Sequence, residues 1–88
     1  MDPNMKILVV DDMSAMRRIV SSQLSDLGFE SVQEAEDGTE ALDKILIERP
    51  DLVISDWNMP GMTGIELLDK VKSLPDTADM SFVIVTTD

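Results

Sequence analysis

The chain contains no cysteine, no histidine and no tyrosine, and its aromatic residues number one tryptophan and two phenylalanines. Without cysteine there are no disulfides and no thiolate ligands, which points to a reducing, cytoplasmic compartment. With histidine absent too, any metal must be held by oxygen. Basic residues are also scarce: seven Lys and Arg stand against eighteen Asp and Glu, a formal charge of −11. Phosphate backbones require a basic footprint, so this balance excludes nucleic acid and favours cations or basic protein surfaces. No apolar run approaches the roughly 18 residues of a membrane span. The start, Met1-Asp2-Pro3-Asn4, lacks the basic and then hydrophobic order of a signal peptide. No membrane partner is therefore expected.

What is present is 43% hydrophobic sequence over 88 residues, enough for one domain with a modest core. Most of the acids read as a solvated surface that keeps the domain soluble. The placement of a few of them is more informative.

Lys6-Ile7-Leu8-Val9-Val10 is an aliphatic, β-branched run that ends on Asp11-Asp12, as a buried strand would. Ser14 is placed to cap a helix whose apolar positions Met16, Ile19, Val20, Leu24 and Leu27 recur at three- and four-residue steps, with Gly28 as its stop. Phe29 to Ala35 reads as a second strand, interrupted by Glu30, Gln33 and Glu34 and so expected at an edge. Asp37 and Glu40 have capping-box spacing before a helix through Ala41, Leu42, Ile45 and Leu46 that ends by Pro50. Leu52-Val53-Ile54-Ser55 forms a third strand delivering Asp56 into the turn at Pro60-Gly61. Thr63 and Glu66 form another capping-box pair, opening a helix with Ile65, Leu67, Leu68 and Val71 that Pro75 closes. Ser81 to Val85 is a fourth strand, running into Thr86.

Strands alternating with helices imply an α/β fold with a parallel sheet, βαβαβαβ. Parallel strands present their C-terminal ends along one edge, where ligands bind in open α/β sheets. Asp11, Asp12, Asp56 and Thr86 are therefore expected to converge. Three gathered carboxylates repel and raise one another's pKa unless a cation joins them. Oxygen ligands alone suit Mg²⁺, which takes one or two carboxylates and keeps water or phosphate oxygens for the rest. An Asp beside such an ion, with a threonine hydroxyl near, is arranged to become an aspartyl phosphate.

Each piece taken singly has a plainer account. Asp-Asp after a strand also makes a solvated turn or helix cap, Asp56 a turn acid, and Thr86 an ordinary strand residue. Trp57 and Met59 read as loop packing. A calcium loop is a further reading, since Asp56, Asn58 and Gly61 fit EF-hand positions one, three and six. There, however, Pro60 occupies position five and Leu67 the position of the bidentate Glu. A phosphatase with an Asp nucleophile is another, although Asn58 stands where that class uses its second acid. A structural or interaction module, whose acids are inherited rather than used, also stays open.

Val9-Val10-Asp11-Asp12, Met16-Arg17-Arg18, Ala35 with Asp37-Gly38 and Ala41-Leu42, Ser55 through Met62 with Gly64, and Val85-Thr86 together resemble the receiver domains of two-component response regulators, most closely those of the chemotaxis type. The resemblance runs the length of the chain. It implies a flavodoxin-like, three-layer parallel sheet with strand order 2-1-3-4. Asp56 would be the phosphoacceptor, charged by a histidine kinase, in a protein that phosphorylates its own aspartate rather than turning over a substrate. Asp12 and Asp56 would hold Mg²⁺ directly, the Asn58 backbone carbonyl would be a third ligand, and Asp11 would act partly through water. Thr86 would be the switch hydroxyl.

The same resemblance implies that residues 1–88 are a truncated receiver domain. Receivers continue through a further helix, a strand ending in a catalytic lysine, and a last helix, and no lysine in this chain takes that role. Efficient phosphotransfer is accordingly expected to suffer. With right-handed crossovers the first helix lies alone on one sheet face. Four strands span about 19 Å and a helix covers only about 10–12 Å, so an apolar strip over strands three and four is expected to stay wet. Self-association as a homodimer or higher oligomer, with or without exchanged elements, would bury it.

Overall fold

A computed structural model of the chain describes residues 2–85. Its elements alternate as β1 (Lys6–Val10), α1 (Ser14–Asp26), β2 (Ser31–Ala35), α2 (Gly38–Glu48), β3 (Leu52–Asp56), α3 (Gly64–Ser73) and β4 (Ser81–Val85). All neighbouring strands are parallel, in the order β2-β1-β3-β4. The sheet is flavodoxin-like, as the resemblance implies.

The local signals explain most boundaries. Asp37 accepts the Glu40 N–H at 2.8 Å to start α2. Thr63 and Glu66 make the full reciprocal capping box on α3, satisfying two donors that the first turn would otherwise leave orphaned. Gly28, at φ +99°, ends α1 in a conformation that side chains disfavour. Ser14 does not cap α1. The N-cap is Met13, which has no side-chain cap, and Ser14 is the first helical residue. The second strand also starts later than expected, at Ser31.

Register divides the side chains cleanly. Leu8 and Val10 of β1, Val53 of β3 and Ala35 of β2 face α2 and α3, where they close on Ala41, Ile45, Leu67 and Val71 to form the core. Leu67 and Ile45 are wholly buried, and each such side chain contributes about 1.5–3 kcal/mol through water exclusion. On the other face α1 packs chiefly over β2 and β1. It shields Ile7 and Val9, but none of its own residues is fully buried. The expected single buried stripe is thus only half realised: Met16, Val20 and Leu24 are partly covered, while Ile19 and Leu27 stay exposed. Val83 and Val85 of β4, on this same face, are 47% and 43% exposed. No helix among the described residues is long and apolar enough to cross a membrane.

Candidate functional site

Because β1 and β3 are parallel neighbours, Asp11, which follows β1, and Asp56, which ends β3, emerge at the same sheet edge. One carboxylate oxygen from each of Asp11, Asp12 and Asp56 lies within 4.8 Å of the others. Burial is graded across the three, with Asp11 buried, Asp56 half-buried and Asp12 exposed. The expected convergence of the acids is present. Thr86 lies outside the described residues, and Asn58 is exposed on the loop two residues beyond Asp56.

Main-chain bonds hold the two inner acids. Asp11 Oδ1 accepts the Met13 N–H at 2.9 Å, a local turn bond that also aims the carboxylate. The Asp11 carbonyl accepts from Arg17 Nη1 at 2.7 Å, and Arg17 Nε donates to Glu34 Oε1 at 3.2 Å. Asp56 Oδ1 accepts the Trp57 N–H at 2.8 Å, which leaves Oδ2 without a protein donor among the described residues. Buried Ser55 donates its hydroxyl to the Asp56 carbonyl at 3.0 Å. The Gly64 N–H donates to the Trp57 carbonyl at 2.9 Å, drawing the first turn of α3 against the strand end. A Cβ at Gly64 would overlap the Asp56 carbonyl oxygen, so only glycine permits this approach.

Burial pushes the Asp11 carboxyl above the usual carboxylate range, the charges of Asp56 and Asp12 add to the shift, and the Met13 N–H opposes it. Among the described residues, none of the three acids has a lysine or arginine ion-pair partner; the pairs join Arg17 to Glu34, Lys44 to Glu40 and Arg49 to Asp76. Three clustered carboxylates without a basic partner, and oxygen as the sole donor type, fit a hard divalent cation such as Mg²⁺. An open groove of about 570 Å³ begins at Asp12 and runs between Glu36, Asp37, Met62, Glu66 and Lys70. A cavity of about 40 Å³ under α1 reaches Asp11 and Asp56 from the apolar side.

Met59 packs as expected, at 6% exposure, but Trp57 does not: it is 48% exposed beside Asp56. The spacing of apolar and acidic residues pointed to none of Arg17, Ser55 and Gly64 as supports of the site. A readable signal did exist for Arg17, a cation one turn into a helix that starts beside two acids.

Comparison with known proteins places these features in a family. The model of the response regulator receiver domain matches residues 7–88. Among curated proteins, the chain is similar to chemotaxis protein CheY-3 of Vibrio cholerae, with 46% identity over 88 residues, all of this chain and 68% of the relative. It is also similar to chemotaxis protein CheY of Pseudomonas aeruginosa, with 48% identity over 84 residues, 96% of this chain and 68% of that one. Among solved structures, the chemotaxis response regulator CheY4 of Vibrio cholerae superimposes with a TM-score of 0.89 at 40% identity, covering 97% of this chain and 70% of its own. The N-terminal domain of a response regulator receiver protein from Methanoculleus marisnigri gives 0.89 at 32% identity, covering 94% and 67%.

Proposed function

Because the chain belongs to the response regulator receiver domain family, we propose that Asp56 accepts a phosphoryl group from a phosphorylated histidine kinase in cytoplasmic two-component signalling of the chemotaxis kind. The observation that carries this reading is the meeting of Asp11, Asp12 and Asp56 within 4.8 Å at the mouth of β1 and β3. Asp12 and Asp56 would hold Mg²⁺ directly, with the Asn58 backbone carbonyl as a third ligand and Asp11 acting partly through water. When bound there, Mg²⁺ would supply positive charge against the negative charge that develops as the phosphoryl group arrives. In the transfer itself, an Asp56 carboxylate oxygen attacks phosphorus as the phosphorus–nitrogen bond breaks. That bond's electron pair leaves with the imidazole, which takes up a proton. Oδ1 is engaged by the Trp57 N–H, so Oδ2 is the oxygen available to attack. Thr86 would supply the hydroxyl that follows the new phosphate.

Residues 1–88 span about 68% of the length of the curated relatives they match, and on this reading their chemistry runs on their own aspartate. None of their lysines corresponds to the family's phosphate-pairing lysine, and we expect transfer to be slow in the 88-residue chain. Incubation with acetyl phosphate and Mg²⁺, followed by intact mass, tests the proposal. One added phosphoryl group that is labile to hydroxylamine and lost in Asp56→Asn is the expected result. Absence of any such adduct, with the fold intact, would leave the acids without this role.

A second reading, self-association as a homodimer or higher oligomer acting as an interaction module, is favoured by a separate observation. Val83 and Val85 stand 47% and 43% exposed on β4. A mass above that of one chain in sedimentation would support it.

A further inference from the structure

A wholly buried hydroxyl lies beneath the acid cluster. Ser55 shares the core-facing side of β3 with Val53, and both are 0% exposed. An alanine would fill such a place with no polar group to desolvate, so a hydroxyl there costs stability unless it is bonded. Its one bond among the described residues runs to the Asp56 carbonyl at 3.0 Å. The pairing of β1 with β3 ends at Val10 opposite Ser55, one residue before Asp56. Ser55 therefore supplies the Asp56 carbonyl with a donor where the ladder stops. That carbonyl and the Trp57 N–H belong to one trans peptide unit, in which the two groups point in opposite directions. Fixing one fixes the other. The carbonyl is held on the α3 side, where a Cβ at Gly64 would overlap it and lie 3.3 Å from Ser55 Oγ. The N–H points away from α3 and is shared between Asp56 Oδ1 at 2.8 Å and the Val85 carbonyl at 3.2 Å.

We infer that Ser55 is a positioning residue for phosphoryl transfer, holding the 56–57 peptide so that the Trp57 N–H stays on Asp56 Oδ1 and Oδ2 is presented to phosphorus. The inference rests on the phosphoacceptor reading of Asp56 and adds to it the group that distinguishes the two carboxylate oxygens. That distinction needs a cause, because the last torsion of an aspartate is broad and nearly two-fold, and either oxygen can take either place. A donor fixed from outside the side chain breaks the symmetry. The Trp57 N–H is such a donor, and it is only as well placed as its peptide. Without the Ser55 hydroxyl the Asp56 carbonyl loses its bond and the peptide gains freedom to tilt. The N–H can then turn from Oδ1 to the Val85 carbonyl that already shares it. Ser55 touches none of the reacting atoms and acts through one peptide unit on the carboxylate that does.

Ser55→Ala and Ser55→Cys test the role, the second filling nearly the same space with only a weak donor. Two quantities are read on each variant. One is the proton NMR shift of the Trp57 backbone amide in metal-free buffer. The other is the initial rate of phosphorylation by saturating acetyl phosphate and Mg²⁺, in which Oδ2 bonds to phosphorus as acetate leaves. The Trp57 amide of the parent chain is expected downfield, where a charge-assisted bond to a carboxylate places it, and is expected to move upfield in Ser55→Ala. The rate is expected to fall about tenfold, since small misplacements of a reacting group carry costs of that order. Ser55→Cys is expected to lie between the parent and Ser55→Ala in both, and it carries the test where the alanine variant does not fold. A hydroxyl that merely satisfies the core would shift the urea midpoint and leave both quantities as in the parent, which would overturn the role. A slower rate without the amide shift, or the shift without the slower rate, would overturn it too, because orientation and reactivity would then be separate. A parent chain that gains no phosphoryl group would overturn the phosphoacceptor reading and this role together, whereas a phosphorylated parent beside unchanged variants would overturn the role alone.

Discussion

Arg17 Nη1 donates to the backbone carbonyl of Asp11 at 2.7 Å, so α1 grips the end of β1 by its main chain rather than by its charge. The same guanidinium reaches Glu34 on β2 at 3.2 Å, which ties three elements together immediately beneath the acids. Its planar fork of donors allows both bonds at once.

Arg17→Ala is expected to cost about 1–2 kcal/mol in urea denaturation, in line with losing charge-assisted hydrogen bonds at a partly buried site. Mg²⁺ affinity is expected to fall with it, because Asp11 loses its backbone anchor. Arg17→Lys is expected to recover only part of both, since an ammonium lacks the fork. Unchanged stability and unchanged metal binding in Arg17→Ala would refute the anchoring role.

Trp57 sits next to Asp56 and is half exposed, which makes it a built-in reporter. Titration with Mg²⁺ is expected to change its fluorescence and to raise the unfolding midpoint. The stabilisation reaches about 2.7 kcal/mol when the ion is present at a hundred times its dissociation constant. Chelation with EDTA is expected to reverse both effects, and Asp56→Asn to blunt them. The same response in the variant would remove Asp56 from the ligand set.

The raised pKa of Asp11 sets the sign of a pH effect in metal-free buffer. Burial, then the charges of Asp56 and Asp12, make the folded chain hold this proton more tightly than the unfolded chain does. Stability is therefore lost as pH rises from the unfolded value through the higher folded one, and the full penalty persists above that window. Asp11→Asn keeps an oxygen for the Met13 N–H and removes the charge. The variant is expected to be more stable than its parent at neutral pH without metal, with the advantage vanishing in strong acid. Paired urea curves at the two pH values check this, and an advantage independent of pH would contradict it.

Gly64→Ala is expected to destabilise the fold by about 1–3 kcal/mol, because the new methyl meets backbone rather than a yielding side chain. The first turn of α3 must retreat from the end of β3, so weaker Mg²⁺ binding is expected to accompany the loss. A neutral Gly64→Ala in both measurements would show that the close approach is not needed.

Much of this was legible in the residues themselves. Apolar runs ending on Asp11 and Asp56 announced which side chains would meet, and Thr63 with Glu66 marked the start of α3 to the residue. Where reading failed, a tertiary or local bond had displaced the simpler rule. Ser14 lost the capping role because the helix begins one residue earlier, the Met13 carbonyl accepting the Arg17 N–H, which makes Ser14 its first helical residue. Trp57 was expected to pack within its loop, yet its backbone is occupied on both sides, by Asp56 Oδ1 and Val85 on one and Gly64 on the other, and its ring is left half exposed. Arg17 could be read as a cation beside the acids, but its bond to the Asp11 main-chain carbonyl could not, because no pattern of side chains reveals a backbone partner. Strand order came from family likeness, since alternation of strands and helices is compatible with several windings.

The thin cover that α1 provides has a bearing on how the molecule breathes. A helix with no fully buried residue has little to resist its lifting, so its amides are expected to exchange among the fastest of the helical ones, and those of the buried β1 and β3 among the slowest. Whenever α1 lifts, Arg17 goes with it, and the charge-binding corner loosens while the opposite side of the sheet remains intact.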